Sequence, residues 1–416
     1  GPLATATGPS ILGARHEELF GPTGLRIVAA RLGLERRAAS VVWPRTSSKG
    51  AQTAARIELP EIYLPYRARC NPHLPAARVH AKAWALEMGL LGTGLPGWDE
   101  AGFEAADYAG QSGWAFPDAP GAKLDVAAQW SVWGWYAGTF FEENFTRPRD
   151  LVGAKAFVDR LADFMPVADP RAVPVPTTPL ERSLADLWSR TAVEMPASWR
   201  RWFVESYRCV GEGQLWKIFN LLQNRVPDPV DYIEMRQHST AGWTSILLVQ
   251  YVQGLEIPPG IFGARALRGL HDTLLNWQTL LNDVFSYEKE LDGEDDPHNG
   301  ILIMQRFVGG VLRRAVSLTN DLLTSQLRHF EHIAATKMAA LFQEFGVDAA
   351  GRKGLDGYVQ GLRDCFVAYL QLYRHLRASR YAPDAGSKAP AQVRSFTAPD
   401  RVGMAAAAIG AVQDIL

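Results

Sequence analysis

Long apolar runs spaced three and four residues apart, separated by short Pro- or Gly-bearing turns, constrain this chain more than any other feature. They recur at 76–91, 126–145, 151–164, 180–193, 197–223, 230–253, 264–291, 300–343 and 354–380, and strand-like alternation is scarce. The pattern predicts an all-α chain, a bundle of about ten helices, over residues 58–383. Leu59 to Tyr66 holds two prolines and reads as an extended lead-in, because proline cannot sit inside a helix.

The two ends differ from this body. Residues 1–57 carry eight basic residues against three acids and are rich in Ala, Gly, Ser and Thr, which predicts a basic N-terminal tail, with one short helix conceivable over 23–38. Gly1-Pro2 reads as the scar of a cleaved tag, which would put the natural start elsewhere. Residues 384–416 read as a linker and a short C-terminal helix. The net charge of −1 gives no global pull toward nucleic acid. No stretch approaches the roughly 18 apolar residues of a membrane span. Cys70, Cys209 and Cys365 are far apart and form no CxxC pair, so a reducing, cytoplasmic setting is expected.

Three constellations carry chemistry. In Asn282-Asp283-Val284-Phe285-Ser286-Tyr287-Glu288-Lys289-Glu290, the residues Asn282, Ser286 and Glu290 stand at i, i+4 and i+8. On a helix they line one face over about 12 Å. An amide, a hydroxyl and a carboxylate are oxygen donors that suit a hard cation such as Mg²⁺, and Lys289 lies beside them for phosphate. By spacing alone the ladder fits a solvated polar face equally well. The second constellation is Arg236, 46 residues before Asn282 and followed by small and β-branched residues that break helices. The third is Arg380-Tyr381, a guanidinium and a phenol suited to phosphate. Alone, each of the last two fits an ordinary surface position.

Together the three resemble class I terpene synthases: the second metal motif, the diphosphate-sensing arginine and the closing Arg-Tyr pair. The likeness covers about residues 58–383 and extends to the bacterial branch that contains germacradienol/geosmin synthase, to whose first domain the chain is similar in Tyr63-Leu64-Pro65 and Asn71-Pro72-His73-Leu74. The resemblance implies a single helical bundle enclosing an aromatic-lined cavity. It also implies up to three Mg²⁺ ions and a linear isoprenyl diphosphate, farnesyl diphosphate favoured, ionised and cyclised to a sesquiterpene. Arg236, Arg380 and Tyr381 take catalytic roles on this reading. Lys289, Trp135, Phe140 and Trp243 join them in binding substrate, with Trp133 near the same cavity. A small-molecule partner is implied, no nucleic acid or membrane span, and a monomer or homodimer.

One departure is large. The family's first metal motif, an aspartate pair followed by a carboxylate, falls on Gly138 and Thr139 here, with Glu143 on the trailing position and Glu142 beside it. The metal set implied is therefore Asn282, Ser286, Glu290 and Glu143. Two alternatives stay open: a terpenoid-binding relative without catalysis, and an enzyme acting on a neutral or pre-cyclised terpenoid. His375, before Arg380, reads as a pocket-edge residue.

Overall fold

The structure, a computed structural model, describes residues 41–42, 57–240, 242–293, 298–307 and 310–379. Arg380, Tyr381 and the C-terminal segment lie outside the described residues, as does residues 1–57 apart from Val41, Val42 and Ile57.

Fifteen α-helices occupy the described residues. In chain order they are α1 Leu74–Glu87, α2 Glu100–Ala106, α3 Gly110–Ala115, α4 Gly121–Phe141, α5 Leu151–Ala162, α6 Pro179–Ala192, α7 Ala197–Leu222 and α8 Pro229–Arg236. Then come α9 Gly242–Gln253, α10 Pro259–Phe262, α11 Arg265–Gly293, α12 Gly300–Phe307, α13 Leu312–Thr336, α14 Met338–Glu344 and α15 Ala349–Ala378. A π-helical turn, Glu142–Thr146, continues α4. The count exceeds the expected ten because apolar runs do not announce their own breaks. The run 230–253 divides at 237–241, and 300–343 divides twice. The short helices α2, α3 and α10 lie in stretches that read as connections.

The main core is aromatic, with a second small cluster of Phe141, Ala154 and Ile218 beside it. Trp130, Trp133 and Tyr136 of α4 are buried, as are Leu274, Trp277, Leu281 and Phe285 of α11, which form the expected stripe. Both α4 tryptophans of this core have satisfied N–H groups: Trp130 Nε1 donates to Thr191 Oγ1 at 2.9 Å and Trp133 Nε1 to the Leu180 carbonyl at 3.2 Å. The lead-in is non-helical and packs Leu59, Ile62, Leu64 and Tyr66 against this core. The only strands among the described residues are β1 Val41–Val42 and β2 Arg225–Val226, paired antiparallel.

That pairing ties two residues of the N-terminal tail to the body of the chain. Val41 pairs with Val226 and Val42 with Arg225, and Ile57 is already buried. Backbone pairing needs little more sequence signal than two β-branched residues, so composition gave no warning.

Candidate active site

The polar end of the site is built on α8 and α11. Asp228 caps α8, accepting from the Val230 and Asp231 amides, with Pro229 in the first turn. The helix is thereby started eight residues before the break, and Arg236 ends it. The predicted break is present: α9 begins only at Gly242. Two glycines permit the close packing around it. A Cβ on Gly242 would meet Leu275 Cδ2 at 2.6 Å, and one on Gly213 of α7 would meet the Ser239 amide at 2.7 Å.

Arg236 reaches across to α11. Its guanidinium donates to Asn282 Oδ1 at 2.6 Å, to Asp283 Oδ1 at 3.3 Å and to Ser239 Oγ at 3.2 Å. Asp283 is fully buried, and its other oxygen accepts from the Gly300 amide at 3.1 Å and lies 2.9 Å from the Tyr232 hydroxyl. Burial opposes charge on both partners. The Asp283 carboxyl is pushed up by burial and pulled back by Arg236, whereas at Arg236 burial is outweighed only by Asp283, Tyr232, Glu290 and Tyr373 acting together, which hold the guanidinium above its ordinary value. Glu290 Oε2 accepts from Asn299 Nδ2 at 2.8 Å, and the same amide group holds the Asp283 carbonyl at 2.9 Å. Ser286 donates to the Asn282 carbonyl at 2.8 Å.

Two adjoining cavities meet at this network. A polar one of about 150 Å³ is lined by Gly138, Glu142, Lys217, Arg236, Glu290 and His298, among others. A larger one of about 230 Å³ is walled by the rings of Phe116, Trp130, Trp135, Tyr207, Tyr369 and Tyr373. Arg236, Ser239 and Gly138 line both. Hydroxyls and amides in the larger cavity bind one another. Thr240 donates to Gln278 at 2.8 Å, Gln278 to Tyr373 at 2.6 Å, Thr244 to Tyr207 at 2.9 Å and Tyr369 to Ser245 at 2.9 Å. Burial pushes the Tyr207 and Tyr369 phenols up, so they stay neutral.

Residues 129–329 match the family profile described as terpene synthase family 2, C-terminal metal binding. Pristinol synthase of Streptomyces pristinaespiralis is 28% identical over 324 residues, covering 77% of this chain and 84% of that one. A (−)-β-caryophyllene synthase of Saccharothrix espanaensis, named as (2E,6E)-farnesyl diphosphate cyclizing, is 23% identical over 279 residues, covering 65% and 75%. Among solved structures, the linalool/nerolidol synthase of Streptomyces clavuligerus in complex with 2-fluorogeranyl diphosphate superposes with a TM-score of 0.64 at 22% identity, covering 76% of this chain and 98% of that one. The chain belongs to the class I terpene synthase family. Its fold is the family's helical fold, and no helix among the described residues is long and apolar enough to cross a membrane.

The synthase brings together Arg236, Asn282 and Glu290, with Ser286 buried between the last two on α11. Lys289 is half-buried on α11 and lines neither cavity. Glu143 needs correction: its carboxylate pairs with Arg147 at 2.9 Å and lines neither cavity, while Glu142 lines the polar one. The reason is helical period. The α4 face that shows Gly138 to the cavity returns at 142, one turn on. Three of the expected rings are corrected as well. Trp135 lines the cavity, but Phe140 packs among Tyr136, Phe145 and Phe157. Trp133 is buried against α6, and Trp243 stacks on Trp202, away from the cavity. His375 is tied to the Ala105 carbonyl at 2.7 Å and lines neither cavity.

Sequence reasoning missed several participants. Gln278 and Tyr232 were legible, each standing one turn before a residue already singled out (Asn282 and Arg236). Asn299 and Lys217 come from other helices or loops and carry no local signal.

The donors on α11 fit a hard cation. Ser286 spends its proton on the Asn282 carbonyl, which leaves its lone pairs for a metal, and Asn299 orients the Glu290 carboxylate. The α4 wall does not fit a further pair of metals. Gly138 has no side chain, the Thr139 hydroxyl donates to the Trp135 carbonyl at 3.0 Å, and Glu142 is 3.4 Å from the Lys217 ammonium.

Proposed function

We propose that this terpene synthase takes farnesyl diphosphate, ionises it with Mg²⁺ held by Asn282, Ser286 and Glu290, and cyclises the resulting cation to a sesquiterpene. The observation that carries the reading is the meeting of the two cavities at Arg236. The polar cavity takes the diphosphate and the ring-walled cavity takes the hydrocarbon chain, so the carbon–oxygen bond to be broken lies at their junction. The farnesyl diphosphate named for the caryophyllene synthase supports the substrate.

Arg236 donates to the diphosphate, with Asp283 behind it as its counter-ion at 3.3 Å. Bound Mg²⁺ supplies the charge that stabilises the departing diphosphate. Heterolysis sends the bonding electron pair to the diphosphate oxygen and leaves an allylic cation. The rings of Trp135, Trp130 and Phe116 wall the space that cation occupies. The hydroxyls are fixed in hydrogen bonds to one another and to Gln278, and the ring-walled cavity excludes bulk water, so cyclisation precedes loss of a proton or capture of water. Gly138 and Thr139, where carboxylates stand in the family pattern, favour a second reading: a relative that binds terpenoids without ionising a diphosphate.

Incubation with Mg²⁺ and geranyl, farnesyl and geranylgeranyl diphosphates, followed by gas chromatography of the extract, separates the two. Cyclic C15 products from farnesyl diphosphate support the first reading. No product from any of the three overturns it.

A further inference from the structure

The wall facing the α11 donors offers a fixed cation where carboxylates would be needed to hold metal. Lys217 of α7 and Glu142 both line the polar cavity, 3.4 Å apart, with side chains only 19% and 22% exposed. Lys217 is delivered there by backbone packing. Gly213, one turn earlier, lets α7 press against the Ser239 amide, and Gln214 donates to the Ser239 carbonyl at 2.9 Å. The same cavity is reached by Arg236 from α8. Two cationic side chains on different helices thus converge on a space of about 150 Å³. The acid on the α4 side is already matched by Lys217. Mg²⁺ is ordinarily held by one or two carboxylates together with substrate phosphate, and a carboxylate already paired with an ammonium is a poor additional ligand.

We propose that Lys217 is a diphosphate-binding residue of this synthase, and that with Arg236 it gives the site a grip on the anion that needs no metal on the α4 wall. In the empty site Glu142 holds the ammonium in place. When the diphosphate enters, Lys217 donates to a phosphate oxygen as a compact point charge, while Glu142 stays behind it as its counter-ion. The inference rests on the reading of this cavity as the diphosphate site.

Binding of inorganic pyrophosphate to the full chain, measured by calorimetry in EDTA with no added Mg²⁺, tests it. The wild type should bind. Lys217→Met should weaken binding roughly tenfold or more, the loss of one charge-assisted hydrogen bond, and Lys217→Arg should stay within about threefold of the wild type. Gly138→Asp is a second probe. A Cβ there meets nothing within 4 Å, so the variant has room, and its carboxylate beside Glu142 and Lys217 should weaken metal-free binding by a similar factor. The proposal is overturned if the wild type binds pyrophosphate only with Mg²⁺, or if Lys217→Met and Gly138→Asp both bind as the wild type does. Because the readout is anion binding in EDTA, it is independent of whether any prenyl diphosphate is turned over with Mg²⁺.

Discussion

On the α11 side of the polar cavity, side chains hold one another. Asn282 accepts from Arg236, Glu290 from Asn299, and Asp283 from Arg236 and the Gly300 amide. On the α4 side, Gly138 leaves open space, Thr139 turns its hydroxyl to its own helix, and Glu142 faces a lysine. On the proposed reading the first wall serves a cation and its ligands, and the second an anion. The difference teaches that a site can lose the ligands of one wall and keep its overall charge balance, if another helix supplies positive charge to the same space.

The sharpest way to break this comparison is Glu290→Gln. It removes the one carboxylate of the α11 ladder and should lower product formation by roughly 100-fold or more, while the melting temperature stays within a few degrees. If activity persists, the α11 wall is not the metal wall. Asp283→Ala attacks the same wall through stability. Arg236 would be left buried without its carboxylate, at a cost of roughly 3–5 kcal/mol, read from denaturant unfolding. Asn299→Ala tests pre-organisation itself. Loss of the group that orients Glu290 should weaken Mg²⁺ affinity in turnover by roughly 10–100-fold, and the buried Asp283 carbonyl left without its donor should cost about 1–3 kcal/mol in unfolding.

The α4 wall should respond more weakly. Glu142→Gln releases Lys217 from its counter-ion and should alter the KM for the diphosphate by about threefold to tenfold, whereas Glu143→Gln, paired with Arg147 outside the cavity, should stay within about twofold. Equal effects of the two would restore Glu143 to the site. The smallest effect is expected from Thr139→Val, within about twofold in turnover and about 1 kcal/mol in stability, because its hydroxyl is satisfied within α4.

Much of the α11 wall was legible in the chain itself. Asn282, Ser286 and Glu290 repeat at four-residue intervals on a helix whose apolar stripe is equally regular, so their shared face follows from helical period alone. Arg236 was legible only in company, since a lone arginine before a run of small residues has many uses. The α4 wall was harder to read. A family pattern aligned by spacing points to Glu143, but the cavity face of α4 runs through Gly134 and Gly138 to Glu142. Helical direction likewise separates the ring of Trp135, which lines the cavity, from those of Phe140 and Trp133, which do not.

By itself the sequence determined that the chain is helical, where its ladder of oxygen donors stands, and that the usual aspartate pair is missing. These are local properties, set by propensity and periodicity along one helix at a time. Only the tertiary structure decided which acid turns inward, that Asn299 steadies Glu290, and that Lys217 faces Glu142 across the cavity. Such contacts join residues 9 and 75 positions apart in the chain, and depend on how closely two helices approach. Gly213 shows how little sequence that takes: one absent Cβ lets α7 reach the Ser239 backbone and carries Lys217 with it.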